Sequence, residues 1–288
     1  MEVCLRIEEK RREEMTNVNL ISPKEYDFLV NKLRAFFRNR GFFETPVQHR
    51  LSILAACEDP RTIAQFHYAG KAWPLPQTGQ MWLEYELLTN PQATGFYCIS
   101  TSYRNEPNPI VGRHDLVFPM FEFETHGDIT TLKKLEEELL EFLGFGEPKQ
   151  YKKENYTEVT KKYKVDELNA EHETMIEKDF GPVFFLMNFP QSTSPFWNMK
   201  KAGDLAKKID VILYGIETIG SAERSANPKE MRESFHTISN GMYADMLYAQ
   251  FGKERVEEEL ERFLALPFIP RCGGGIGITR MIRAIKLQ

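Results

Sequence analysis

Apolar residues recur at helical spacing in three parts of the chain. In the first, Tyr26, Leu29, Val30, Leu33, Phe36 and Phe37 share one helix face. Ser22 as N-cap, Pro23 at the first helical position and Glu25 as the partner of a capping box predict its start. Gly41 predicts its end. A second helix is expected from Asp128 to Gly144, with Leu132, Leu135, Leu139, Phe142 and Leu143 as its stripe. A third helical stretch covers roughly 241–265 and breaks near Gly252.

Runs rich in β-formers lie between these stripes. They are an extended GFFETPV segment containing Pro46, then 96–103 (FYCISTSY), 117–125, 182–188 and 210–215. The 96–103 and 117–125 runs flank a loop from Pro107 to Gly112 and predict a long antiparallel hairpin. Alternation along the second of them places Phe118, Met120, Glu122 and Glu124 on one face, and Val117, Phe121 and Phe123 on the other. Two carboxylates among large apolar groups are poor core material, because burying them unpaired is costly. The face is either a solvated surface or a ligand-facing floor. Hairpin-paired strands with helices outside, and no βαβ alternation, define the expected fold class as α+β, with an antiparallel β-sheet flanked by helices. Residues 1–21 are expected as a charged helix or tail and 22–288 as one domain. The highly charged stretch near 147–172 is expected as an insert or mobile connection within it.

Composition changes this picture little, but it excludes several functions. With 42% hydrophobic, 27% charged and 12% aromatic residues among 288, the chain is an ordinary globular one. No apolar run approaches the ~18 residues of a membrane span. The charged N-terminus lacks a signal-type apolar stretch, so a cytoplasmic protein with no membrane partner is expected. The net charge of −5 argues against a dedicated nucleic-acid binder. Cys4, Cys57, Cys98 and Cys272 form no C-x-x-C pair, and the six histidines are scattered without metal-type spacing.

Three segments carry candidate chemistry. Gly273 to Gly277 form a glycine-rich run that ends in Arg280, which suits either a tight turn or close approach to a phosphate. Arg104 and Glu106 follow the first hairpin strand, with Arg113 and His114 across the loop. As an i, i+2 pair on a strand, Arg104 could hold a phosphate while Glu106 and Phe118 meet an adenine; a surface ion pair is the plainer alternative. Asp210 and Glu217 bracket a strand and can share a hard cation through oxygen, with Gly220, Ser221 and Arg224 beyond; Asp210 could equally be a strand-end cap.

Together and in this order, these segments resemble the class II aminoacyl-tRNA synthetases, in the Asp/Asn/Lys subclass. GFFETPV resembles the family's first motif, at its dimer interface. YRNE…RHDLVFPMFEFE resembles the second motif in its asparaginyl form, FR-x-E…RHLPEFWMIEPE. GGGIGITR resembles the third. The resemblance covers roughly residues 22–285 and implies a class II-type sheet, ATP and Mg²⁺ as cofactors, and a homodimer. It implies ATP binding by Arg104, Glu106, Arg113, His114, Phe118, Gly275, Gly277 and Arg280, with Arg104, Glu217 and Arg280 catalytic. It assigns metal to Asp210 and Glu217, and the amino acid to Gln80, Glu84, Glu122 and Arg224. Gln80 and Glu122 would take the α-ammonium, and Arg224 the side-chain oxygen.

The departures bear on substrate and acceptor. Where aspartyl enzymes carry a lysine, this chain has Leu83 followed by Glu84, as in the asparaginyl pattern Gln-Leu-x-x-Glu. A glutamate there would accept from an asparagine amide and repel a carboxylate. The family's Gly-Gly-Ser appears as Gly220-Ser221-Ala222, and the glutamate before the adenine-stacking Phe is Val117. No anticodon-binding domain precedes the core, and the chain stops eight residues after Arg280 without the usual tail. In this it resembles the ammonia-dependent asparagine synthetases, whose third motif reads GGGIG-x-S/T-R. The implied reaction is activation of asparagine or aspartate by ATP to an aminoacyl-adenylate. The acceptor stays open between tRNA, ammonia, a protein amine and a small metabolite. The basic clusters are short, so weak, salt-sensitive tRNA binding at most is expected. Two further alternatives are a non-catalytic ATP- or amino-acid-binding paralogue, against which the retained metal carboxylates count, and a structural dimerisation partner of a larger synthetase, against which the ligand-facing strand counts.

Overall fold

The computed structural model describes residues 21–46, 51–56, 59–110, 114–193 and 195–288. Helix α1 (Pro23–Arg38) leads into strand β1 (Phe43–Glu44), and a small hairpin follows, β2 (Gln65–Tyr68) with β3 (Lys71–Pro74). Helix α2 (Gln80–Thr89) precedes the long hairpin of β4 (Gly95–Tyr103) and β5 (Val117–His126). Then come α3 (Ile129–Leu143), β6 (Lys152–Asn155), α4 (Tyr156–Tyr163), α5 (Ala170–Phe180), β7 (Val183–Pro190), β8 (Lys201–Ala202), β9 (Leu205–Leu213) and β10 (Ile216–Glu223). Helices α6 (Pro228–Thr237), α7 (Met242–Phe251) and α8 (Lys253–Leu264) precede β11 (Arg271–Gly277) and α9 (Ile278–Lys286).

The main sheet runs β1-β4-β5-β11-β10-β9-β7-β6, with β8 pairing to β9. Its interior ladders are antiparallel, and only the two edge pairs, β1 with β4 and β6 with β7, are parallel. The expected α+β class stands, with a mixed rather than wholly antiparallel sheet. One face of this sheet is apolar. Phe121 and Phe123 of β5, Ile209 and Val211 of β9, Ile219 of β10 and Ile276 of β11 pack there against α1, α3 and α9. Phe37 touches Phe42, Phe121 and Phe123 at ring separations of 5.0–5.1 Å. Truncating it to alanine would cost about 3–5 kcal/mol. A second core joins α2, α6, α7 and α8 around Trp197, Phe235 and Phe263. The other face of the central strands is left for polar groups.

Several local expectations are met. Asp128 caps α3 by accepting from the N–H groups of Thr130 and Thr131, and Gly144 ends it in the left-handed region at φ 96°. Gly252, at φ 87°, separates α7 from α8. Others are corrected. The Ser22 hydroxyl makes no capping bond. Its expected partner Glu25 instead pairs with Lys286 on α9 at 2.9 Å, so no capping box forms. On α3 the buried face takes Glu136 and Leu140, while Phe142 is 44% exposed at its margin. The charged 147–172 stretch is not a mobile connection. It supplies β6, which pairs in parallel with β7, and α4, whose Tyr156 and Val159 pack under the sheet end with Ile176 of α5. Among the described residues no helix is long and apolar enough to cross a membrane.

Candidate active site

The polar face of β5, β11, β10 and β9 floors a cavity of about 660 Å³. Strand alternation aims Phe118, Met120 and Glu122 into it, so the ligand-facing alternative for β5 is the one that fits. Neighbouring β11 is almost bare: a side chain at Gly275 would overlap Met120, and one at Gly273 would overlap Glu124. Glycine here keeps the floor low enough for a ligand to lie on it. The sequence-derived candidates Gln80, Arg104, Glu106, His114, Phe118, Glu122, Asp210, Glu217, Arg224, Gly275, Gly277 and Arg280 all line this cavity. Arg113 lies outside the described residues. Glu84 does not reach the cavity.

At one end, the hairpin's exit holds an Arg, a carboxylate, an imidazole and a ring. Strand β4 stops at Tyr103, so Arg104 and Glu106 stand in the loop rather than on a strand face. The Arg104 N–H donates to Leu116 O at 2.8 Å, which fixes the loop across the hairpin. The Arg104 guanidinium sits 5.3 Å from the Phe118 ring centroid, and His114 Nδ1 lies 2.7 Å from Glu106 Oε2. Arg280 occupies the first turn of α9. Its Nη1 donates to Glu217 O at 2.8 Å and lies 3.9 Å from Glu217 Oε2.

Asp210 on β9 and Glu217 on β10 come together beside Gly220. A Cβ there would lie 3.0 Å from Glu217 Oε1 and 3.6 Å from Asp210 Oδ1. Asp210 Oδ1 is buried without a hydrogen-bond partner, while Lys208 Nζ binds Oδ2 at 2.5 Å. Burial pushes the Asp210 carboxyl up to about 7; Lys208 opposes the shift and Glu217 adds to it.

At the other end, Glu122 holds the start of α2. It accepts from the Gly79 N–H at 2.7 Å and from the Thr78 and Ser100 hydroxyls, a favourable place for a carboxylate at a helix N-terminus. Gln80 Nε2 donates to Glu124. Arg224 reaches in from the end of β10, with Nε and Nη2 each 3.4 Å from Glu124 Oε2, and Nη2 donates to Gly273 O at 3.1 Å. Glu84 was expected to meet a substrate amide directly. It is instead fully buried behind Arg224 and clamped by Arg271, whose Nε and Nη2 donate to Oε2 at 2.9 and 2.6 Å. Asn198 Nδ2 donates to its other oxygen at 2.6 Å. Sequence reasoning missed Arg271 and Asn198. Arg271 had a signal: it opens β11 two residues before Gly273 and so shares the cavity-side face. Asn198, in a loop, had none.

A class II synthetase catalytic fold is what this sheet and its floor define. Residues 9–287 match the family model of class II tRNA synthetases (D, K and N), and the chain belongs to that family. It is 29% identical over 121 residues to an aspartate–tRNA(Asp) ligase of Pyrobaculum aerophilum, covering 42% of this chain and 25% of that one. It is 26% identical to an asparagine–tRNA ligase of Desulforamulus reducens across 86% of this chain and 62% of the relative. Among solved structures, the asparaginyl-tRNA synthetase of Pyrococcus horikoshii complexed with asparaginyl-adenylate superposes with a TM-score of 0.73 at 20% identity, over 91% of this chain and 64% of that one. The Entamoeba histolytica asparaginyl-tRNA synthetase in complex with asparaginyl-adenylate gives 0.70 at 17% identity, over 91% and 63%. The chain thus spans less than two thirds of each of these relatives.

Proposed function

We propose that the protein uses ATP to convert asparagine or aspartate to an aminoacyl-adenylate. The observation that carries this reading is that one cavity joins a ring and arginines suited to a nucleotide, a carboxylate pair, and an arginine set among buried glutamates. A carboxylate oxygen of the amino acid would attack the α-phosphorus as the bond to the bridging oxygen breaks, releasing pyrophosphate. No side-chain nucleophile is needed. Arg104 would hold the α-phosphate and Arg280 the γ-phosphate, and alignment in line would supply much of the rate. Asp210 and Glu217 fit a magnesium ion: two hard oxygens, one of them partnerless, face each other where Gly220 leaves room, and phosphates would complete the shell. When bound, the ion supplies positive charge to the phosphate oxygens.

One observation favours aspartate over asparagine within this reading. Glu84, which would repel a second carboxylate, is withdrawn onto Arg271 and Asn198. On that alternative the side-chain carboxylate would be the one activated, with Arg224 holding the α-carboxylate, and ammonia would displace AMP from the β-aspartyl-adenylate to give asparagine. A homodimer would form along the β1 edge, where Phe43 is 59% exposed, and sedimentation at micromolar concentration tests it. Binding to tRNA would be weak and salt-sensitive. ATP–pyrophosphate exchange with each amino acid in turn tests the function. Exchange with asparagine or aspartate is expected, and its absence with a folded protein overturns the reading.

A further inference from the structure

At and behind the side-chain end of the cavity stand four charged groups shielded from water. Glu84, Glu124 and Arg271 are fully buried and Arg224 is 5% exposed. Two of them are closely paired: Arg271 binds Glu84 at 2.6 Å. The other two pair at a longer distance. Arg224 stands 3.4 Å from Glu124 and 3.7 Å from Glu84. Glu124 Oε2 also accepts from Gln80, but Oε1 is buried and has no hydrogen-bond partner. A buried carboxylate oxygen without a donor is a natural place for a proton. Protonation at Oε1 would leave Oε2 still able to accept from Gln80.

The charges then count in a simple way. With Glu84 and Glu124 both ionised against Arg224 and Arg271, the group sums to zero, which matches a neutral amide. With Glu124 protonated it carries one positive charge, which matches a carboxylate. We propose that Glu124 is a positioning residue that sets side-chain specificity through Arg224: ionised it engages Arg224 and favours asparagine, and protonated it yields Arg224 to aspartate. This rests on reading the cavity beside Arg224 as the subsite for the amino-acid side chain. The charged and titratable groups around Glu124 are Glu84 on α2, Arg224 after β10, Arg271 and Cys272 on β11, and Glu122 and His126 on its own strand. Burial above all, with Glu84 adding, raises the Glu124 carboxyl to about 8, while Arg224 and Arg271 oppose the shift.

The sign follows from linkage. Aspartate binds the protonated form, so its affinity falls as pH rises through the Glu124 pKa; asparagine shows the reverse. The ratio of the two dissociation constants cancels the titration of the amino acids' own ammonium groups. From pH 7 to pH 9 that ratio should move about a hundredfold against aspartate. Titration calorimetry at pH 9 in two buffers of different ionisation enthalpy should show nearly one more proton taken up with aspartate than with asparagine. In Glu124→Gln the ratio should favour aspartate and stay flat with pH. If that variant fails to fold, the wild-type ratio and proton count decide alone. Parallel pH profiles with equal proton counts would overturn this inference and leave the proposed function standing. Binding of neither amino acid at any pH would overturn both.

Discussion

Around the end of the cavity proposed for the amino acid, Glu84, Glu124, Arg224 and Arg271 are at most 5% exposed and stand on α2, on β5, just after β10 and on β11. At the end proposed for the nucleotide, Arg104, Glu106 and His114 stand on the hairpin loop, and the Arg280 and Glu217 side chains are 34% and 39% exposed. On the proposed function the two ends face different tasks. Telling a carboxylate from an amide needs an environment where one unit of charge is expensive, which means a dry one with every partner fixed. A triphosphate with its cation is heavily hydrated and must enter and leave as different species. Half-solvated charges on loops suit that traffic.

The largest effect expected from breaking this division is at the wet end. Glu217→Gln keeps the size of the side chain and removes one proposed metal oxygen. Its partners Arg280 and the Gly220 gap are surface features of the cavity, so the fold should survive. Exchange should fall by at least about three orders of magnitude, with the thermal midpoint unchanged. Near-normal exchange by a folded variant would remove Asp210 and Glu217 from the metal site.

At the dry end the response should be in stability. Arg271→Met leaves Glu84 ionised in a fully buried site with Asn198 and the more distant Arg224. Removing one partner of a buried pair costs about 3 kcal/mol or more. Urea unfolding should read that loss, and the double variant Glu84→Met, Arg271→Met should recover most of it. If the single variant unfolds like wild type, the pair is not what organises this end.

What could be read from the sequence divides along similar lines. The hairpin, the Asp128 and Gly144 caps of α3 and the Gly252 break are dictated by neighbours within a few residues, and the chain shows them. The wet end was legible as well, because its residues sit in three short ordered motifs. The dry end was not. The Arg271–Glu84 pair joins residues 187 positions apart, and a helix in which Gln80, Met81, Trp82, Leu83 and Glu84 are all buried shows no amphipathic stripe to reveal which way Glu84 points. In the 147–172 stretch charge concealed regular structure for another reason. An edge strand such as β6 exposes Lys152 and Lys153 to water and still pairs with β7, so charge density alone does not mark a connection as mobile.

Glu136 extends the comparison to the far side of the sheet. Like Glu84 it is fully buried, but among the described residues no arginine or amide clamps it, and the Ser221 hydroxyl is the one group that opposes the rise of its carboxyl. Burial raises its carboxyl to about 8, with Asp210 and Glu137 adding to the shift. A carboxyl whose folded pKa lies above its unfolded value binds more protons in the native state. Stability from this group is therefore fullest below about 4.5 and falls as pH rises toward 8. The expected loss between pH 5 and pH 8 is about 3.5 kcal/mol. Glu136→Gln cannot titrate, so its thermal midpoint should gain on wild type steadily over that range. A constant difference would mean that Glu136 has found a partner and belongs with Glu84.

The smallest effect should come from Phe118, and it separates positioning from charge at the wet end. Its ring is partly exposed on β5, lies 5.3 Å from the Arg104 guanidinium and borders the loop that carries Glu106 and His114. A base resting on that ring would gain stacking of about 1–3 kcal/mol, and the lower end applies where water reaches both partners. Phe118→Ala removes the stacking surface and leaves Arg104, Arg280 and the carboxylate pair in place. The interaction is made equally before and during the reaction, so it contributes uniform binding and not rate. Exchange kinetics should show the KM for ATP rising about tenfold while kcat and the KM for the amino acid hold. A fall in kcat with unchanged KM would mean that Phe118 orients Arg104 for the transition state instead. The ring would then belong to the chemistry of the α-phosphate and not to recognition of the base.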